Sequence, residues 1–384
     1  MNLYKKWVDY PNIHPKNGTK IRSFSDDFFS IQLEFLEEEI KIVESQIQNI
    51  RSLNLGLQTF RIFLFHKSQG LINDANIYKK ILPGTTEIVY HYDYDYEYTG
   101  YHSDLSPYPM RTANIYLECL PRESQTFTSA CYNFFMINPE IGHVKTYYPL
   151  LDAFICKTKY AKKIMDAMCL EKELACQRIY TSHTSKDMLV PDLEKNYNEF
   201  LHVGGWSNYK QTDVVIDTWL QHPEFPKLTI VARHPLHVKK LVKLTNIPSN
   251  IFFIEEEIKL EDLKFFMNRI GCHLCPSLTE GWGHYINEAR SCKAFIITND
   301  APPMNELVQS SFGLLVQSRK GELKRYQHKY HIASETLAHA IAEVIKIPEQ
   351  DKQRMGELAR QAYLLNHQVF DLRLKTYIHS ILNR

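Results

Sequence analysis

The chain has 384 residues with 45 Lys plus Arg against 44 Asp plus Glu, so no net field draws it to nucleic acid or an anionic membrane, and charge recognition has to be local. Its length suits two ordinary domains, and 12% aromatic residues exclude an extended disordered chain. Eight cysteines without disulfide-scaffold spacing, a start (Met1 to Trp7) lacking an apolar signal core, and no run near the ~20 apolar residues of a bilayer span set the expectation of a cytoplasmic, reducing interior with at most peripheral membrane contact.

Ser25 to Ile50 places Phe28, Ile31, Phe35, Ile40 and Val43 at mostly helical spacing and predicts a long amphipathic helix. Phe60 to Phe65 reads as a strand, then comes the loop His66 to Gly70 and a helical pattern through Ile81 that stops at Pro83-Gly84. Glu87 to Tyr90, Ala113 to Leu117, Asn133 to Met136 and Ala153 to Cys156 read as further strands, and Tyr160 to Met168 as a helix, giving a first α/β unit. His183 reads as an ordinary interdomain loop residue, and Glu194 to Asn198 as the polar approach to a second domain. His91 to Glu97 contains Asp93-x-Asp95, which resembles a metal-binding element but reads better as a solvated, tyrosine-rich strand end.

From Phe200 onward short apolar runs alternate with helical patterns, the signature of a parallel α/β domain. The runs are Phe200 to Val203, Leu228 to Val231, Ile251 to Ile254, Cys272 to Cys275, Ala294 to Ile297 and Phe312 to Val316. Helical patterns fall at Lys210 to Leu220, Pro235 to Leu244, Glu261 to Met267 and Tyr285 to Cys292, and later at Ser334 to Ile345, Met355 to Leu365 and Val369 to Leu382. Cys272-x2-Cys275 has no second pair at metal-ligand spacing and reads as two packed thiols.

The segment Pro276-Ser-Leu-Thr-Glu280-Gly-Trp-Gly-His-Tyr-Ile-Asn-Glu288-Ala289 sets two carboxylates eight residues apart across a glycine-rich turn between strand and helix. Glycines let backbone approach a ligand closely, and the helix start offers unpaired N–H groups to an anion such as a diphosphate. Carboxylates repel phosphate but accept hydrogen bonds from hydroxyls. A nucleotide sugar has both parts. The bland alternative is a surface loop with two solvated acids.

The Glu-x7-Glu element in its Pro-Ser-x2-Glu-Gly-x-Gly-x4-Glu-Ala setting resembles the donor-site signature of retaining glycosyltransferases of family 4, which have the GT-B fold. The resemblance implies two Rossmann-like α/β domains facing each other across a cleft: an acceptor domain at 1–199, a donor domain at 200–367, and a terminal helix at 368–384 returning to the first. It implies that Glu280 lies against the donor sugar and Glu288 against the ribose, with Gly281, Trp282, Gly283, His284 and Tyr285 around the diphosphate. After the first strand of the second domain the family has Gly-Arg and then Lys. Here Gly204 and Lys210 fit, but Gly205 stands where the Arg belongs, and Arg233 is a candidate replacement for that charge. Glu255 and Ile258 fall where members meet the base, and Glu306, in Ala301-Pro-Pro-Met-Asn-Glu306, falls where the pattern also ends in Glu. Gly70, Asn138 and Glu140, in loops after first-domain strands, are weaker candidates for acceptor contacts. The implied activity is transfer of a sugar from a UDP- or GDP-sugar to a glycan or other hydroxyl acceptor with retention, without a cofactor or metal. A nucleotide-sugar epimerase and a catalytically weak sugar-nucleotide or glycan-binding protein are the alternatives.

Overall fold

A computed structural model describes residues 59–65, 68–82, 84–90, 112–121, 130, 132–141, 145–236 and 248–382. The expected helix at Ser25 to Ile50, the Asp93-x-Asp95 element, His66, Lys67 and Pro83 lie outside these residues, as does most of the expected helix at Pro235 to Leu244.

Two parallel six-stranded sheets organise the molecule, with helices against them. The first is built from β1 (Thr59–Leu64), β2 (Thr85–Tyr90), β3 (Thr112–Leu117), β4 (Tyr132–Ile137), β5 (Ala153–Cys156) and β6 (Gln177–Tyr180), in the order β2-β1-β3-β4-β5-β6. Helix α1 (Gln69–Ile81) follows β1, and α2 (Lys159–Glu171) follows β5. Ser68 and Thr158 cap these helices by accepting from the N–H groups of Leu71 and Ala161. Burial of both faces explains why β4 and β5 read as unbroken apolar runs. Strand β6, Gln-Arg-Ile-Tyr, was not expected, because only Ile179 is buried in it and its pattern is too polar.

The second sheet runs β12-β11-β10-β7-β8-β9, with β7 at Asn196–Gly205, β8 at Leu228–Ala232, β9 at Ile251–Ile254, β10 at Ile270–Cys275, β11 at Phe295–Asn299 and β12 at Gly313–Val316. Its helices are α3 (Thr212–Gln221), α4 (Leu260–Arg269), α5 (His284–Ser291) and the single turn α6 (Met304–Leu307). The segment expected as a polar approach, Glu194 to Asn198, instead begins β7 at Asn196. An antiparallel hairpin of β13 (Arg319–Lys324) and β14 (Gln327–His331) follows β12. It had no apolar alternation to betray it, since β13 is exposed almost throughout.

Helix α7 (Ser334–Lys346) packs on α3, and then one helix, α8, runs from Glu349 to Leu382. Two helices were expected there. The polar interval that separates their patterns, Asn366 to Gln368, is helical: Asn366 and His367 bond Ser182 and Thr184 of the segment joining the two sheets, while His367 and Gln368 stay exposed. Beyond it Phe370, Leu374 and Ile378 join the core of the first sheet, beside Phe60, Tyr78 and Phe134. The start of α8 packs its Met355, Leu358 and Ala359 into the core of the second sheet. No described helix is long and apolar enough to cross a membrane.

Candidate active site

Strand β10 ends at Cys275, and the chain turns through Ser277 to Gly283 before entering α5. The turn is tied from several sides. Asn299 of β11 accepts from Ser277 N at 3.0 Å, Leu278 N donates to Tyr209 O at 2.8 Å, and Gln327 Nε2 donates to Glu280 O at 2.9 Å. Gly283 sits at φ 103°, a region that side chains rarely adopt, and its carbonyl accepts from Ile286 N and Asn287 N to open the helix. Glu280 therefore projects from a fixed backbone.

Lys210 pairs with Glu280, and Ser277 Oγ donates to the same carboxylate oxygen at 2.6 Å. The Lys210 ammonium also lies 3.5 Å from the centre of the Tyr285 ring, whose hydroxyl meets Ser277 Oγ at 2.5 Å. Lys210 was expected in a helix and stands instead in the loop before α3, where Gln211 adopts a left-handed backbone at φ 48°. That turn is what swings the lysine toward β10.

Lys210 and Glu280 line a cleft of about 390 Å³ together with Ser207, Tyr209, Thr279, Lys324 and Arg325 of the second domain and Glu140 and Ile141 of the first. Asn138 and Glu140 follow β4, and Asn138 Nδ2 donates to Glu118 Oε1 at 2.8 Å and to Glu140 Oε1 at 3.2 Å. Burial, then the nearby charges of Glu280 and Glu118, push the Glu140 carboxyl up to about 7. A Cβ on Gly281 would overlap the Asn138 side-chain amide, so the glycine is what lets the two domains touch at this point.

Behind the cleft lies a buried charge cluster that sequence reading missed. Asp74 Oδ1 accepts from His183 Nε2 at 2.6 Å and from His284 Nε2 at 3.0 Å, and its Oδ2 lies 3.6 Å from Lys157 Nζ. Burial alone would raise the Asp74 carboxyl, but the surrounding His183, His284 and Lys157 outweigh it and hold it well below the usual range. Burial lowers His183 to about 4, which makes it a neutral donor whose Nδ1 has no hydrogen-bond partner. For His284, burial is overcome by Asp74's charge and hydrogen bond, and the imidazole is raised. The three ligand-type atoms of Asp74, His183 and His284 lie within 4.8 Å of one another, yet Lys157 and His284 already balance the carboxylate. His183, expected as a plain loop residue, is thus fully buried and joins the domains. Asp74 sits inside α1 with no local signal for the role.

The remaining expected residues distribute as follows. Gly204 packs where a Cβ would crowd His202 and Thr212, and Gly205 adopts φ 56° with open space around it. Arg233 turns outward to Glu257 at 2.9 Å, with Trp206 6.0 Å away, and does not line the cleft with Lys210. Glu255 is exposed, and Ile258 packs on the cluster of Leu201, Val231 and Met267. Trp282 is buried edge-on to His183 rather than turned to the cleft. Glu288 lines a separate small hollow with Val203, Leu274, Cys275 and Tyr285, and burial raises its carboxyl. Gly70 lies in the first turn of α1 instead of a loop. Glu306 reaches across to the first domain, where its carboxylate accepts from the N–H groups of Lys159 and Tyr160 at the start of α2. Cys272 and Cys275 are buried in β10, and burial pushes the Cys272 thiol up to about 12.

Residues 185–362 match the family model described as glycosyl transferases group 1. No curated protein sequence matches the chain. Among solved structures, a glycosyltransferase from Rickettsia africae ESF-5 is similar with TM-score 0.63 at 13% identity, over 86% of this chain and 100% of that one. HepE of Anabaena, solved with UDP, is similar with TM-score 0.57 at 14% identity, over 85% of this chain and 100% of its own. The pneumococcal O-GlcNAc transferase GtfA, solved with UDP and GlcNAc, gives TM-score 0.54 at 14% identity over 71% of this chain, and this chain covers only 57% of its length. Two parallel α/β units facing one another across a cleft, with the last helix shared between them, make this a GT-B fold. Within that fold, residues 185–362 are similar to the glycosyl transferases group 1 family.

Proposed function

We propose that this protein moves a sugar from a nucleoside-diphosphate sugar to a hydroxyl of a glycan or glycoconjugate, with retention at the anomeric carbon. The observation that carries this reading is the cleft in which Glu280 and Lys210 of one domain face Glu140 of the other. On donor binding Lys210 exchanges its carboxylate partner for the diphosphate, and Glu280 is released to accept from sugar hydroxyls. The open backbone at Gly205 precedes the loop that carries Lys210, and Glu288, in its own hollow with Tyr285, is the residue for the ribose. Lys210 takes charge that builds on the leaving phosphate, the step where electrostatic stabilisation contributes most. In this reading the protein's own cations suffice for that charge, without a metal. The part built on the first sheet presents the acceptor, the part built on the second sheet, from β7 at Asn196, the donor, and α8 ties the two. UDP is the first base to test, since HepE and GtfA were solved with it.

Melting of the purified protein with UDP, GDP and their sugar conjugates tests the donor site, because a ligand that binds only the native state raises the transition temperature. A base-selective rise that Glu288→Ala abolishes supports the reading. No rise with any nucleotide sinks it in favour of glycan binding alone. Product analysis then separates transfer from epimerisation, and the anomeric configuration of the product decides retention.

A further inference from the structure

The hairpin β13–β14 has no part in the reading above, yet it reaches the cleft. From Arg319 to His331 it carries Arg319, Lys320, Lys324, Arg325 and Lys329 against one acid, Glu322. It is fixed to both domains: Tyr330 N donates to Leu278 O at 2.7 Å, and Tyr326 N donates to Pro139 O at 3.2 Å. Its turn places Lys324 and Arg325 on the cleft wall, with Arg325 in the left-handed region at φ 61°. Tyr209 holds Lys324 through its hydroxyl and through its ring, 4.5 Å from the ammonium. With Lys210 these make three cations on one wall. Glu280 offsets Lys210, which leaves Lys324 and Arg325 as the excess charge, and Glu140, pushed up to about 7, carries only part of a charge at neutral pH. Cations gathered in a concave site focus their field on an anion.

Strand order says which anion. Strand β9 forms one edge of the second sheet and β12 the other. The proposed function puts the sugar at Glu280, after β10. The hairpin follows β12, so it lies past the sugar end and beside Glu140 and Pro139 of the acceptor domain. We propose that this hairpin is an acceptor subsite for an oxyanion, with Lys324 and Arg325 binding a phosphate or carboxylate carried by the acceptor glycan near the hydroxyl to be glycosylated. The proposal rests on the nucleotide-sugar reading for the word acceptor, and the guanidinium of Arg325 offers the paired donors that either oxyanion accepts.

Ligand-observed NMR titration of the full chain with saturating UDP tests it, using glucose 6-phosphate, glucuronate and glucose as probes. An oxyanion sugar binds, more weakly as salt rises, and glucose does not. The tighter of the two anionic probes identifies phosphate or carboxylate as the source. Lys324→Gln with Arg325→Asn weakens that binding roughly ten-fold, Asn being chosen because it tolerates left-handed backbone. Lys324→Gln alone serves if the pair fails to fold. Equal binding of glucose, or anion binding indifferent to both variants, overturns the proposal. Loss of the UDP-induced melting shift in the variants also overturns it, since the hairpin would then belong to the donor. If UDP never shifts the wild-type protein while anion binding still depends on Lys324 and Arg325, the nucleotide reading fails and the anion subsite stands.

Discussion

At the scale of single residues, Glu140 is the group whose environment departs furthest from what its neighbours in sequence announce. Burial and the nearby Glu280 and Glu118 keep it protonated up to about 7. Below that pH it donates a hydrogen bond, and above it the carboxylate can accept one from an acceptor hydroxyl. We therefore expect kcat/KM for transfer to rise through pH 7, and Glu140→Gln to flatten the profile at a rate lower by about 10²–10⁴-fold. The same shift affects stability. A carboxyl raised in the folded state stabilises fully below its unfolded value and loses that contribution as pH rises through about 7. Melting against pH should thus show wild type losing stability relative to the Gln variant between pH 5 and 8, on top of the opposite slope that His183 and His273 give both proteins. An unchanged slope would refute the assignment. The strand, turn and helix around Glu280 and Glu288 were legible because one contiguous pattern carries them. The opposition of Glu140 to Glu280 joins residues 140 positions apart, and the turning of Arg233 to Glu257 depends on the loops after β8 and β9, so neither is written locally.

Among the elements, the parallel strands were the most legible, because burial on both faces leaves runs such as Phe-Ile-Ile in β11 without polar interruption. Legibility failed where an element lacks an apolar face, as in β13, or where the role of a residue in a helix is set by a distant segment, as in the middle of α8. Gly356 illustrates the second kind. Within a helix glycine costs about 1 kcal/mol relative to alanine, so propensity alone favours Gly356→Ala. In the structure a Cβ there would overlap Lys293 O and approach Tyr197 Oη, which itself donates to Lys293 O at 2.7 Å. The glycine is the point where α8 lies on the second sheet. We expect Gly356→Ala to destabilise by roughly 1–3 kcal/mol, the usual range for overpacking, despite its better propensity. Urea unfolding measures this, and a variant as stable as wild type would mean that α8 can lift without loss.

For the molecule as a whole, the question is what holds the two domains together behind the cleft, and the Asp74 cluster is the principal answer among the described residues. Asp74 comes from α1, His284 from the start of α5, and His183 from the segment between the sheets, packed among Tyr78, Trp282 and Phe370. Neutral His183 is lowered to about 4 by burial, whereas in the unfolded chain it titrates near 6.5. Between those values the unfolded state binds more protons, so stability falls as pH drops, by about 2 kcal/mol at pH 5 from this residue. His273, buried in β10 and lowered to about 3, adds in the same direction. His284 runs oppositely: its imidazole is raised, so its contribution is complete below its unfolded value and is lost on the alkaline side. The cluster is therefore weakened from both directions, and stability should be greatest near neutrality. His183→Gln keeps a donor for Asp74 but cannot be protonated. Its melting temperature should fall less than that of wild type between pH 6.5 and 5, with His273 supplying the remaining slope. If the two proteins lose the same increment, His183 is charged in the native state and the neutral-donor account of the domain junction is wrong.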